Sequence, residues 1–241
     1  MSATSNPDLS RFASTRWTLV LRAHEGSDEG RAALGDLCAA YYQPVLVFLR
    51  RSGWPADEAR DLAHSFFAHL LQKGGLPNPD RGRGRFRNYL LGAVKHFASD
   101  LQDRSRAMKR GGGVAHEALD AEDDESPALQ VSDPKATSAL AAFDREWALT
   151  AMNRAVAILE GEHEGPRAAH FEALRPWLMG DGAASHAETA TALGMSEGAV
   201  KVAVHRLRRR FRELLRHEVA QTLDDPAELD DELRHLCAVL G

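Results

Sequence analysis

Residues 186–205 read HAETATALGMSEGAVKVAVH, and this stretch decides the fold. Two short helices separated by a turn fit it position by position. Ala190 is small where two helices must cross closely. Gly194 stands after the first helix, where a left-handed backbone is favoured. Ser196 caps the second helix through its hydroxyl, and Glu197 suits the positive end of the helix dipole. Leu193, Val200 and Val204 then face inward. Glu197, Gly198, Lys201, Val202 and His205 face outward, on the side of a recognition helix that enters a major groove. Arg206, Arg208, Arg209 and Arg210 extend that helix as phosphate contacts, which position more than they specify. The plainer alternative is a helical hairpin with a solvated basic face. It does not require this Ala, Gly, Val and arginine pattern to coincide.

The whole chain agrees with a helical reading. It has 241 residues, 44% hydrophobic and 27% charged but only 7% aromatic, and is rich in Ala and Leu. No apolar run approaches the roughly 20 residues of a membrane span, and the first thirty residues lack a secretory pattern. Cys38 and Cys237 are too few for a disulfide framework or a cysteine zinc site. A cytoplasmic, mostly helical protein is expected.

The net charge of −5 hides a segregation. Residues 81–110 hold nine Lys or Arg against Asp100 and Asp103, a local +7. Residues 201–216 hold seven against Glu213, a local +6. Acidic blocks follow each, at 117–125 and 218–232. Local fields decide nucleic-acid binding, and a merely solvated surface would mix the signs. Two readings of the acidic blocks are open: they cover the basic faces when no partner is present, or 226–240 packs as an amphipathic helix on the second domain.

Apolar periodicity predicts helices at 9–24, 29–52, 55–73, 86–108, 137–160, 167–179, 185–193, 196–220 and 226–240. Pro55 suits a helix start. Residues 76–84 form a loop rich in Pro and Gly, and Gly111–Gly113 stop the fourth helix. His163 and His170 flank Gly165-Pro166 at a surface turn. The architecture expected is all-α, with a first domain at 9–112, a flexible acidic linker at 113–136 and a helix-turn-helix domain at 137–241.

Residues 85–110 read RFRNYLLGAVKHFASDLQDRSRAMKR. Phe86, Tyr89, Leu90, Ala93, Val94 and Phe97 share a helical face, with Arg87, Asn88, Lys95, His96, Arg104 and Arg106 around it. Aromatics among cations suit single-stranded nucleic acid, whose bases stack while its phosphates pair. The same aromatics also read as ordinary core.

Together these regions resemble bacterial sigma factors of the extracytoplasmic-function (ECF) type. The stretches that carry the resemblance are YYQPVLVFLRRSGWPADEARDLAHSFFAHLL, GRFRNYLLGAVKHFASDLQDRSRAMKRGGG, FDREWA and the helix-turn-helix with HRLRRRFRELLR. The GRFRNYLL and KRGGG segments resemble a planctomycete-like subgroup. The resemblance implies three contact sets. Asp57, Glu58, Asp61, Leu62, His64, Phe66 and Phe67 would dock on core RNA polymerase, with His64 where the family commonly has Gln. Arg85, Phe86, Asn88, Tyr89, Lys95, His96, Phe97, Asp100, Arg104 and Arg106 would recognise and melt the promoter minus-ten element. Ser196, Glu197, Gly198, Lys201, Val202, His205 and Arg206, extended by Arg208 and Arg209, would read the minus-thirty-five element. The implied partners are core polymerase and promoter DNA, with an anti-sigma factor as an optional third. No catalytic residue and no cofactor is implied.

Strand opening costs about 1.4 kcal/mol per stacking step. With no P-loop in the chain, binding energy must offset it. Two other classes are open to the sequence. Asp61 and His64 have carboxylate-x-x-His spacing, with Glu58 and His69 a turn away, but no second helix repeats the motif as a di-iron bundle requires. A stand-alone helix-turn-helix regulator with an N-terminal sensing or dimerisation domain would have no need of the basic 85–110 helix.

Overall fold

The computed structural model describes residues 15–22, 27–72, 85–109, 134–180 and 185–241. They form α1 (Arg16–Arg22), α2 (Asp28–Arg51), α3 (Ala56–Gln72), α4 (Phe86–Lys109), α5 (Pro134–Gly161), α6 (Ala168–Leu174), α7 (His186–Leu193), α8 (Glu197–Ala220) and α9 (Leu229–Leu240). Single 3-10 turns occupy 165–167, 175–177 and 226–228. Among the described residues there is no strand, only an isolated antiparallel bridge between Arg85 and Leu223. The all-α expectation holds, and the bounds of α2 to α5 and α7 to α9 fall within a few residues of those read from periodicity, while the helix expected at 9–24 is described only from Arg16 to Arg22, its other residues, bar Thr15, lying outside the described residues. The region predicted as one helix at 167–179 is α6 between two 3-10 turns, because Pro166 and Pro176 each open a new turn. The 76–84 loop, Gly111–Gly113 and the acidic block 117–125 lie outside the described residues. So does the expected linker, except for its last three residues, which already belong to α5.

Local chemistry accounts for the helix ends. Ser27 caps α2 by accepting from the Gly30 amide, and Asp28 and Glu29 fill its first turn. α2 then runs through Pro44, which lacks an amide proton for the ladder. Burial of Tyr41, Val45, Phe48 and Leu49 around it offsets that loss. By length and composition alone α2 also passes for a membrane-crossing helix, as buried core helices do. Its apolar residues instead pack against α1, α3 and α5, so here it is a core helix.

The core is organised around Tyr41. Trp147 of α5 stacks on its ring at 4.3 Å, Phe86 of α4 meets it edge-on at 5.0 Å, and Phe143 lies at 6.0 Å. Trp17 of α1 closes the group against Phe86 at 5.1 Å. Burial pushes the Tyr41 phenol well above its ordinary range. A second core joins Ala155 and Leu159 of α5 to Phe171, Trp177, Ala190, Val200, Val204, Leu207 and Phe211.

The expected division into 9–112 and 137–241 does not describe how the cores are shared. The first half of α5 packs along α2, and α9 with the end of α8 joins the first core through Val219, Ala220, Leu223, Leu229 and Leu236. The reason lies in α5. Ala139, Phe143, Trp147, Ala151, Ala155 and Leu159 form one row at every fourth residue. A 28-residue helix is about 42 Å long, enough for that row to reach both cores.

Candidate nucleic-acid interface

The helix-turn-helix is α7 and α8. Ser185 and Glu188 form a capping box at the start of α7, and the two hydrogen bonds from Ser185 hold the Glu188 carboxyl below its ordinary range. Gly194 ends α7 in the left-handed region (φ 63°), and its neighbour's amide, Met195 N, donates to Ala190 O at 2.9 Å. Ser196 Oγ accepts from the Ala199 amide at 3.2 Å and caps α8. Val200 and Val204 are buried and Leu193 half-buried, as the pattern predicts.

The outer face of α8 presents Glu197, Gly198, Lys201, Val202, His205 and Arg206, all exposed. Val202 is 51% exposed, an apolar contact suited to a thymine methyl. The arginines that follow do not act alike. Arg208 turns back onto the protein: its Nε donates to Trp177 O at 2.7 Å and its Nη2 to Gly180 O at 2.5 Å. It straps the 175–180 segment to α8 and is not aimed at a phosphate. Arg209 stays open to solvent although it meets Glu213 at 3.1 Å. Arg210 is bound by Glu162 and Glu213; hydrogen bonding to Glu162 raises the Arg210 pKa above its ordinary value and lowers that of Glu162. An open groove between α6 and α8 has Phe171, Leu174 and Leu207 on its floor and Arg206 and Arg210 among its walls. His163 and His170 line it beside the 165–167 turn, His163 stacked on Phe171 at 5.3 Å.

α4 divides its sequence-predicted residues between two environments. Asn88, Lys95, His96 and Arg104 are exposed, and Asp100 is half-buried. Phe86 is 0% exposed and Tyr89 is buried, both against Trp17, so in this conformation they hold the helix and offer no ring to a base. Phe97 packs edge-on to Phe66 at 5.6 Å. The side chain of Arg106 lies outside the described residues.

On α3, Asp57, Glu58 and Asp61 form an exposed acidic edge. His64 is exposed beside them, stacked on Tyr42 with its Nε2 2.7 Å from the tyrosine hydroxyl. Leu62, Phe66 and Phe67, assigned to the same surface, are core residues. Among the described residues no group of three His, Cys, Asp or Glu side chains is placed to hold a metal ion.

The sequence reading missed the ionic network that ties the two ends of the chain together. Arg85 meets Glu228 and Glu232, each at 2.8 Å, and Arg87 meets Asp144 at 2.7 Å and Glu232 at 2.9 Å. Burial alone would lower the Arg85 pKa, but its bond to Glu228 and the charge of Glu232 outweigh this and raise it. Glu218 holds Arg154 at 2.8 Å and Arg16 at 3.4 Å, and His235 lies 2.9 Å from Asp144. A signal was present. Glu232 falls on the stripe of Leu229 and Leu236, Glu218 on that of Phe211 and Leu214, and Arg87 on that of Leu90 and Val94. A charge inside an apolar stripe needs a buried partner.

The family model for the ECF sigma factor matches residues 28–217. No curated protein and no solved structure matches the chain. The match runs from the start of α2 nearly to the end of α8, across both cores and the helix-turn-helix. The chain therefore belongs to the ECF sigma factors, which direct transcription initiation with core RNA polymerase at promoter DNA.

Proposed function

We propose that α8 reads a duplex minus-thirty-five element, that α4 engages and melts the minus-ten element, and that the acidic edge of α3 docks on core polymerase. The observation that carries this reading is the exposed face of α8 from Glu197 to Arg206, mounted on a capped helix-turn-helix. Lys201 and Arg206 neutralise phosphates while Val202 and His205 meet base edges. On α4 the exposed Asn88, Lys95, His96 and Arg104 supply polar and basic contacts to an opened strand. Asp57, Glu58, Asp61 and the Tyr42–His64 pair form the docking edge, with Leu62, Phe66 and Phe67 holding α3 in place. The GRFRNYLL and KRGGG segments support a place in the planctomycete-like subgroup. The polymerase supplies the RNA chemistry in the cytoplasm. An anti-sigma factor is a partner compatible with this reading.

Run-off transcription with purified core polymerase tests it. Discrete transcripts are expected only when the protein is added, and Lys201→Ala with Arg206→Ala abolishes them. No transcript with an active core enzyme, alongside tight binding of the free protein to duplex DNA, would refute it in favour of a stand-alone regulator.

A further inference from the structure

We propose that the groove between α6 and α8 is a second phosphate site of the promoter interface, a cradle that takes one sugar-phosphate strand of duplex DNA alongside the recognition helix. The inference rests on the function proposed above. It extends the DNA contact from α8 to the turn between α5 and α6, where His163 and His170 read from sequence as no more than a surface turn.

Helical geometry sets the groove beside the DNA-reading face. Gly198, Lys201, Val202 and His205 follow the spacing i, i+3, i+4, i+7 on α8. Ala203, Arg206, Leu207 and Arg210 follow the same spacing on the adjoining row and form one side of the groove. Arg206 stands at the border of the two rows. A helix with its side chains is about 10–12 Å across and fills a major groove about 12 Å wide. An element packed on the flank of such a helix cannot enter with it, and meets the phosphates that border the groove. α6 packs on that flank. Gly165, at φ 68°, and Pro166 make the turn that sets Arg167 and His170 on the other side of the groove from Arg206.

The lining has the chemistry of the strand it would hold. Arg167 and Arg206 are exposed, and neither makes an ion pair among the described residues. No acidic side chain lines the groove, and Glu162, just beyond α5, is bound to Arg210. That bond ties the turn to α8 and fixes the two walls in advance, so little ordering is lost on binding. His163 is a positioning residue: its Nδ1 lies 2.7 Å from Leu159 O and its ring stacks on Phe171. The floor of Phe171, Leu174 and Leu207 is apolar, which suits the carbon face of a deoxyribose between two phosphates. The groove, of about 510 Å3, is open to solvent along its length, as a continuous strand requires.

The test is a salt titration of the protein in complex with core polymerase, on a duplex promoter fragment that ends before the minus-ten element, so that strand opening does not contribute. Arg167→Ala is expected to flatten the slope of log affinity against log salt by about 0.9, so its deficit against the parent shrinks roughly 3.5-fold between about 50 and 200 mM. Arg167→Lys keeps the parent slope, because a point charge also serves a phosphate. His170→Arg, at an exposed position, steepens the slope by about 0.9. None of the three changes the ratio of affinities for the promoter fragment and for one with a scrambled minus-thirty-five element, since phosphate contacts carry no sequence information. Arg175→Ala, exposed but outside the groove, is the control and leaves the slope in place. A parent slope for Arg167→Ala beside a flattened one for Arg206→Ala overturns the cradle and leaves the reading of α8 intact. Parent slopes for both overturn the cradle and the reading of α8 together. Weaker binding of Arg167→Ala to core polymerase without DNA, at unchanged slope, means that the groove seats an acidic protein segment and overturns the proposal.

Discussion

Arg208 separates two roles that an arginine run does not distinguish. In the folded chain its Nε donates 2.7 Å to the carbonyl of buried Trp177, and its Nη2 donates 2.5 Å to the carbonyl of exposed Gly180. Truncation to Ala lets water reach Gly180, so that bond counts for little. The Trp177 carbonyl is left without its charged donor, at a cost of about 1.5–3 kcal/mol. In a chain of this size 1 kcal/mol corresponds to about 2–4 °C in Tm, so Arg208→Ala lowers the Tm by roughly 5–9 °C for a mid-range loss. In complex with core polymerase, its binding to duplex promoter DNA should keep the salt dependence of the parent. Arg206→Ala is the reference: exposed and unstrapped, it leaves the Tm in place and flattens the slope of log affinity against log salt by about 0.9, the loss of one phosphate contact. Calorimetry and a salt titration between about 50 and 200 mM give both quantities. A normal Tm for Arg208→Ala together with a slope reduced by one phosphate would refute the strap.

Three further outcomes follow from the same geometry. Gly194→Ala meets no atom within 4 Å, so its penalty is the left-handed backbone alone: a loss of about 1–2 kcal/mol in denaturant titration, with Gly194→Asn losing less. An equal loss for Asn and Ala would point elsewhere. The Glu162 carboxyl, held below its ordinary 4.5 by its hydrogen bond to Arg210, contributes stability that is complete above that value and lost as pH falls through the lowered one. Glu162→Gln therefore melts below the parent at pH 7, and the gap closes under acid; a gap independent of pH contradicts the pairing. Native protein treated with a thiol reagent should gain one adduct by mass, at exposed Cys237. Burial pushes the Cys38 thiol up to about 12, so it reacts only after denaturant is added. Two adducts without denaturant would mean that α2 is not packed as described.

Local patterns carried much of this protein into view. The capping serines at 185 and 196, Gly194 and the i, i+3, i+4 spacing of Val200 and Val204 are short-range constraints, satisfied within one or two turns. Helix-turn-helix and helix bounds were legible for that reason, and so was the outward set from Glu197 to Arg206. The sequence could not say that Phe86 and Tyr89 are core, since an aromatic on an apolar face looks the same beneath a neighbouring helix or beneath a base. Nor could it separate Arg208 from Arg209, which differ only in whether the carbonyl of Trp177 comes within reach. The every-fourth-residue row of α5 and the charges inside the stripes of α4, α8 and α9 were written in the chain, but not what they would meet. Their partners lie as far away as the 145 residues between Arg87 and Glu232. Helical periodicity is set by backbone geometry within a few residues and so belongs to the sequence; the pairing of α5 and α9 with the first core is set by which buried faces and charges can satisfy one another in space, and only the tertiary structure decided it.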